Sequence, residues 1–465
     1  MPVVHPVTSP DTASDETDSE KREQRLLRQA KDLMYKNWNG DYTIPGPGLY
    51  PHHWGWDTPV VASAYSCFDL EKGMQELKHL LDAQWDNGMI PHIVFNKRET
   101  SYFPGPEFYD VHRSDDAPED TETSGMIQAP TQAIGLYYLY KTGCDDSRVC
   151  EYVREMYPRV FDFHRFLMTY RDPEESGAVT IYHPWECMDD LPVFDDALAR
   201  LDTSNVPEYE RKDLKFVESP GERPPQEFYD CFIYLLDRMR QRDYDNRKIE
   251  EDHPFKFKDL LNTSILHLAN CCMIEIGRDL SMDAGYLEQL QQWQNRIQDN
   301  FSDNFKPDGG EHYFNYDLVA GEHIQEATIV SLVPLFAGIL SPDDAAPLIE
   351  AVESFQFCQG QCIVPVIPTT SFAHDDFSME RYWRGPVWAM TTWMIYCGLR
   401  NYGRHETAKL IKDNFLLLVD EEGFREYYSP TTGEGKGITD FTWTAAVVVD
   451  LIEEQIELPG YDSCT

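Results

Sequence analysis

The chain has 465 residues, with 81 acidic against 40 basic side chains and a formal net charge of −41. That balance argues against nucleic acid and anionic membranes as partners, because both require basic surface. Apolar residues at 42% and aromatic residues at 13% supply a large core and exclude global disorder. The aromatic excess suits a cleft that packs flat rings against sugar faces, and it equally suits a large core.

In chain order, residues 1–18 (MPVVHPVTSPDTASDETD) read as a disordered segment without an apolar signal region. From Glu20 onward Leu26, Leu27, Ala30, Leu33, Met34 and Trp38 follow the rhythm of one helical face. The loop YTIPGPGLYPHHWGWDT ends in an aromatic cluster, and Asp57 or Thr58 is placed to cap the next helix. A third helix carries Met74, Leu77, Leu80 and Leu81. Helical patterns recur over 128–142, 151–170, 226–240, 259–277, 284–300, 325–340, 343–355, 387–402, 405–418 and 440–455. Strand candidates are few and short, 179–183 and 361–367. The longest loops cover 96–125 and 171–225. No stretch approaches the roughly 20 apolar residues of a membrane span.

The expected fold class is all-α. About a dozen amphipathic helices pair as six hairpins in an inner and an outer ring; a bundle or a solenoid is the alternative, and no repeat of 20–50 residues supports the solenoid. Loops this long in a compact domain are functional or disordered, and their aromatic and charged content favours function. The 11 cysteines include adjacent Cys271 and Cys272, and Cys358 and Cys362 four apart. None has the spacing of a zinc site, so reduced, buried thiols in a cytoplasmic protein are expected.

Four segments carry chemistry. Tyr50-Pro-His-His-Trp54-Gly55-Trp56-Asp57 brings three aromatics and a carboxylate to a helix start, as a sugar pocket or as a cap with core tryptophans. Gln84 to His92 marks a helix exit, with His92 able to touch a ligand but read first as a structural histidine. His183-Pro-Trp185-Glu186-Cys-Met-Asp189-Asp190 crowds three carboxylates beside a tryptophan. Such crowding raises a carboxyl pKa toward that of a general acid. In the C-terminal third stand Arg381-Tyr382-Trp383-Arg384-Gly385-Pro-Val-Trp388, Phe424-Arg-Glu426-Tyr-Tyr, and Phe441-Thr-Trp443. Glu426, between aromatics and before a turn, is a candidate ionised carboxylate. Asp189 and Glu426 meet only if a folded cleft joins them, as a two-carboxylate glycosidase requires.

Read together and in this order, WGWDTPVVASAY, QWDNGMIPH, RYWRGPVW and REYYSPTTGEGKG…DFTWTAA resemble glycoside hydrolase family 63, closest to its mannosylglycerate and glucosylglycerate hydrolases. The likeness runs from about Tyr50 to about residue 455. It implies an (α/α)6 barrel over residues 19–465, a cap from insertions at about 96–125 and 171–258, and inversion of configuration. It implies Asp189 as general acid, with Asp190 the alternative in the shortened WECMDDLP segment. It implies Glu426 as general base, with Glu434 the weaker candidate. It places Tyr50, Trp54, Gly55, Trp56, Asp57, Tyr102, Gln128, Tyr382, Trp383 and Trp388 around the sugar. Arg223 and Tyr229 fall to the glycerate, Arg223 as a fork on its carboxylate.

The expected reaction is hydrolysis of 2-O-α-mannosyl-D-glycerate or its glucosyl analogue. The two carboxyl groups should stand roughly 6.5–9.5 Å apart to admit the attacking water. No cofactor or metal is called for, since carboxylates carry both proton transfers. The expected partner is the small sugar-glycerate, and the protein is expected to be a cytoplasmic homodimer. Rival readings are an α-glucosidase on gluco-oligosaccharides, a sugar phosphorylase, and a non-catalytic sugar-binding barrel.

Overall fold

The computed structural model describes residues 13–358 and 360–461. Twelve of its helices alternate between two roles. In chain order they are α1 (Ala13–Lys36), α2 (Asp57–Ser66), α3 (Leu70–Leu81), α4 (Gln132–Gly143), α5 (Ser147–Phe166) and α6 (Leu260–Asp279). They continue with α7 (Ala284–Phe305), α8 (Val333–Ala337), α9 (Pro342–Glu353), α10 (Ala389–Asn401), α11 (His405–Glu422) and α12 (Thr442–Glu453). The even-numbered helices touch in succession, and α12 closes on α2. Each odd-numbered helix backs an even one: α3 on α2, α5 on α4, α7 on α6, α9 on α8, α11 on α10, and α1 on α12.

Burial follows from that arrangement. Residues of α2, α6 and α12 are buried on nearly every face, whereas α3, α5 and α7 bury one stripe and leave polar residues outside. Helix α6 is long and apolar enough to cross a membrane by length and composition, contrary to the sequence reading. It lies instead at the centre, with 94% of its apolar window buried inside the protein.

The connections decide where a site can form. Even-to-odd links are turns of three or four residues, 67–69, 144–146, 280–283, 338–341 and 402–404. Odd-to-even links are long: 37–56, 82–131, 167–259, 306–332, 354–388 and 423–441. All long loops therefore gather at the end where the inner helices begin. Three small antiparallel sheets stiffen them. Strands β1 (His53–Trp54) and β2 (Ile93–Val94) form one; β3 (Thr180–Ile181), β4 (Phe257–Lys258), β5 (Tyr316–Asp317) and β6 (Glu322–His323) form the second. The third comprises β7 (Val387–Trp388), β8 (Arg425–Tyr428) and β9 (Gly435–Thr439).

Several expectations are corrected. Helix α1 begins at Ala13, so 13–18 are helical; the rest of the segment expected to be disordered, 1–12, lies outside the described residues. The segment 325–340 is not one helix. It holds a 3-10 turn (Ile329–Leu332) and the short α8, with Pro334 in the first turn of α8, where its missing N–H costs nothing. No strand forms at 361–367. Cys358 and Cys362 are not reduced thiols but a disulfide, because a turn in which Gln361 N–H donates to the Cys358 carbonyl brings their Cα atoms to 5.4 Å.

Candidate active site

The long loops enclose a cavity with about 1040 Å³ of space between protein atoms, part of it open to solvent. Tyr50, Trp54, Trp56, Asp57, Tyr102, Gln128, Asp189, Arg223, Tyr229, Tyr382, Trp383, Trp388 and Glu426 all line it. Gly55 does not. It carries no side chain to offer, and a Cβ there would stand 2.7 Å from the Pro91 carbonyl. The absent side chain lets β1 approach the Pro91-His92 backbone, where Gly55 N–H donates to the His92 carbonyl at 2.8 Å. Asp57 is the first residue of α2 rather than its cap, and its carboxyl opens on the cavity.

Glu426 lies on β8 and is fully buried. Tyr50 Oη donates to its Oε1 at 2.7 Å. Arg223 Nη2 at 2.7 Å and Ile438 N–H at 3.1 Å donate to Oε2. Strand β9 supplies Ile438, and Gly437 beside it, at φ +63°, leaves the room that a Cβ would take from Glu426 Oε2. The segment carrying Arg223 is tied to the same strand, since the buried Glu222 carboxylate accepts from Gly437 N–H at 3.0 Å. Glu434, the alternative base, is exposed, pairs with Lys436 at 3.1 Å, and does not line the cavity.

Asp189 lines the same cavity from the 167–259 connection. Trp185 Nε1 donates to its Oδ2 at 3.1 Å. Burial first, and the charge of Asp190 second, push its carboxyl up to about 8, against the pull of Arg223. Burial and the charge of Glu426 push Asp57 up to about 7. Asp190 points away from the cavity into Arg381 and Arg384. Glu186 of the same segment forms a bidentate buried pair with Arg171, at 2.7 and 2.8 Å, and accepts from the Ile127 and Tyr182 N–H groups. It is an anchor for the loop rather than a chemical participant.

Residues that the sequence left outside the site also face the cavity. His92 lines it, with its Nδ1 unpartnered among the described residues, and burial pulls its imidazole down to about 3, so it is neutral. Trp185, Phe441 and Trp443 add rings. At the mouth stand Lys212, Asp213 and Phe216. Arg211 forks onto Asp213 and lies 3.7 Å over the Tyr229 ring. Among the described residues no cluster of three or more His, Cys, Asp or Glu could hold a metal.

A mostly helical protein whose long loops bring carboxylates from separate connections into one aromatic cavity has the build of a glycoside hydrolase, and comparison with known proteins shows the chain to be one. Residues 50–444 match the mannosylglycerate hydrolase MGH1-like glycoside hydrolase domain, and the chain belongs to that family. It is 38% identical to a mannosylglycerate hydrolase of Thermus thermophilus over 90% of this chain and 99% of that one. It is 33% identical to the glucosylglycerate hydrolase of Mycolicibacterium hassiacum over 92% of this chain and 97% of that one. The crystal structure of the GH63 mannosylglycerate hydrolase from another strain of Thermus thermophilus, in complex with Tris and D-glycerate, superposes with a TM-score of 0.84. It is 37% identical, covering 91% of this chain and 99% of that one.

Proposed function

We propose that the protein is an inverting α-glycosidase that hydrolyses 2-O-α-D-mannosyl-D-glycerate, and its glucosyl analogue, to hexose and glycerate. The observation that carries this is the contrast between two carboxylates facing one cavity. Asp189 is held toward its protonated form, and Glu426 is fixed by three donors as an acceptor. Opposite roles for two acids in one site is the division that acid and base catalysis at a glycosidic bond demands. The relatives' named substrates, and the D-glycerate bound in the Thermus structure, support the sugar-glycerate.

The hexose stacks among Trp54, Trp56, Trp383 and Trp388, with Asp57 and Gln128 toward its hydroxyls. Asp189 gives its proton to the glycosidic oxygen as the C1–O bond breaks and its electron pair leaves with glycerate. Glu426 takes a proton from the water that attacks C1 on the other face. Among the described residues its Oε1 accepts only from Tyr50 and keeps a lone pair for that water. Arg223 faces the glycerate carboxylate, and its Nε–H has no partner among the described residues.

The closed ring of six helices, each backed by another, reads as an (α/α)6 barrel, with 96–125 and 171–258 as its cap. Lys212 Nζ joins the two cap loops by donating to the Thr100 and Tyr102 carbonyls, and the Phe103 and Tyr209 rings stack at 5.4 Å. A cytoplasmic homodimer completes the proposal.

The test is proton NMR of purified protein with each hexosylglycerate in turn. Early appearance of β-hexose supports both hydrolysis and inversion. Early α-hexose overturns inversion, and no hexose from either compound overturns the substrate.

A further inference from the structure

Asp190 is fully buried next to Asp189, yet it belongs to a different contact system. Arg381 forks onto it, Nε at 2.8 Å and Nη2 at 2.5 Å. Arg384 reaches it with Nε at 3.5 Å and turns its two terminal nitrogens to Asp195. Both guanidinium groups lie over the Phe228 ring, at 5.1 and 5.3 Å. Between the two arginines sit Tyr382 and Trp383, which wall the cavity. Tyr382 holds φ at +33°, a conformation an L-residue keeps only where its neighbours enforce it. Asp190 thus joins the segment bearing Asp189 to the turn that walls the sugar, across 191 residues of chain.

We propose that Asp190 is a positioning residue for Asp189: anchored by Arg381 and Arg384, it fixes the neighbouring carboxyl over the cavity, and its own charge opposes a second charge beside it. This rests on the reading of Asp189 as general acid. Among the described residues, groups that interact with Asp189 include Trp185, Cys187, Asp190, Arg223, Tyr102 and Tyr382. Asp190 is the only one of them that is a carboxylate. The charge of Asp190 and the burial of Asp189 itself act in the same direction on the acid, and Arg223 acts against them.

The test compares pH profiles of kcat/KM for wild type, D190N, D190E and D189N on the hexosylglycerate and on an α-hexosyl fluoride, whose leaving group departs without a proton. In D190N the alkaline limb on the hexosylglycerate should move down by about one pH unit, so that activity at pH 8 falls about fivefold. Turnover of the fluoride should stay within about threefold, and D190E should restore the limb. An unmoved limb, with both substrates slowed alike, overturns the proposal. If D190N does not fold, the partly exposed Arg381 carries the test. R381Q frees Asp190 from its fork and should slow the hexosylglycerate more than the fluoride; equal slowing of both overturns the proposal. D189N separates the two readings. If it hydrolyses the glycoside at near wild-type rate, the acid assignment fails and this inference with it. If it is inactive while the D190N limb stays in place, this inference alone fails.

Discussion

Arg223 Nη2 stands 2.7 Å from Glu426 Oε2, so a guanidinium read from the sequence as a clamp for a ligand carboxylate is also paired with a carboxylate of the chain itself. Both side chains are buried. Removing the cation leaves an uncompensated buried charge, which costs about 3–5 kcal/mol. R223A should therefore lower the urea midpoint, raise KM for the hexosylglycerate and lower kcat together. The double variant R223A/E426Q should recover stability relative to R223A, because no lone charge remains. Equal midpoints for R223A and R223A/E426Q would remove the pair from that role.

D189N and E426Q should each reduce kcat at least about a hundredfold, the usual scale of a general acid or base, while both still bind substrate by calorimetry. With Asp189 as the proposed acid, wild-type kcat/KM should fall as pH rises through about 8, because that group must carry its proton. The same shift governs stability. A folded-state pKa above the unfolded one favours the fold fully below the unfolded value, near 3.8, and that advantage is lost as pH rises through about 8. D189N lacks this titration, so its melting temperature relative to wild type should climb between pH 4 and pH 8. A constant difference across that range would contradict the raised pKa.

Gly437→Ala places a methyl group against Glu426 Oε2 at a backbone position, φ +63°, that favours glycine. The backbone strain alone is worth about 1–3 kcal/mol. If Glu426 is the base, as proposed, the variant should lose kcat by more than its loss of stability explains. Wild-type kcat in a destabilised G437A would show that the base tolerates displacement.

With a net charge of −41 the protein repels an anionic glycerate at long range. Salt shortens that field from about 30 Å at 0.01 M to about 8 Å at 0.15 M. Over that range kcat/KM should rise for the hexosylglycerate and stay level for an uncharged hexosylglycerol. Stopped-flow or initial-rate assays at low substrate decide it. A fall for the glycerate would mean that Arg223 already dominates the approach.

The helices were legible because burial imposes its period on the sequence: Leu26, Ala30, Leu33 and Met34 form a buried stripe on α1, as their spacing states. The cavity walls were legible where aromatic and acidic residues cluster within a few positions, as in Tyr50–Asp57. Three things were not. Strands β8 and β9 are too short to show alternation, so the hairpin that fixes Glu426 passed as the approach to a turn. Gly55 looked like a site residue because it stands among site residues, although only its backbone packing matters. His92 and Arg223 each carry a polar atom whose partner, or lack of one, is set by distant loops, and no local pattern records that. The different surroundings of Asp189 and Asp190 were likewise not legible, because Arg381 and Arg384, which pair with Asp190, lie far along the chain.

The short turns on one face and long loops on the other bear on stereochemical fidelity. On the proposed mechanism the attacking water has room only while two carboxyl groups keep their separation. One is carried by the 167–259 connection, before α6, and the other by the 423–441 connection, before α12. Those helices are joined through the intervening members of the ring. The gap is therefore gauged by the stiffness of the whole helical ring rather than by either loop. A lesion that loosens ring packing far from the cavity would surface first as leakage in the anomeric product, before any loss of fold.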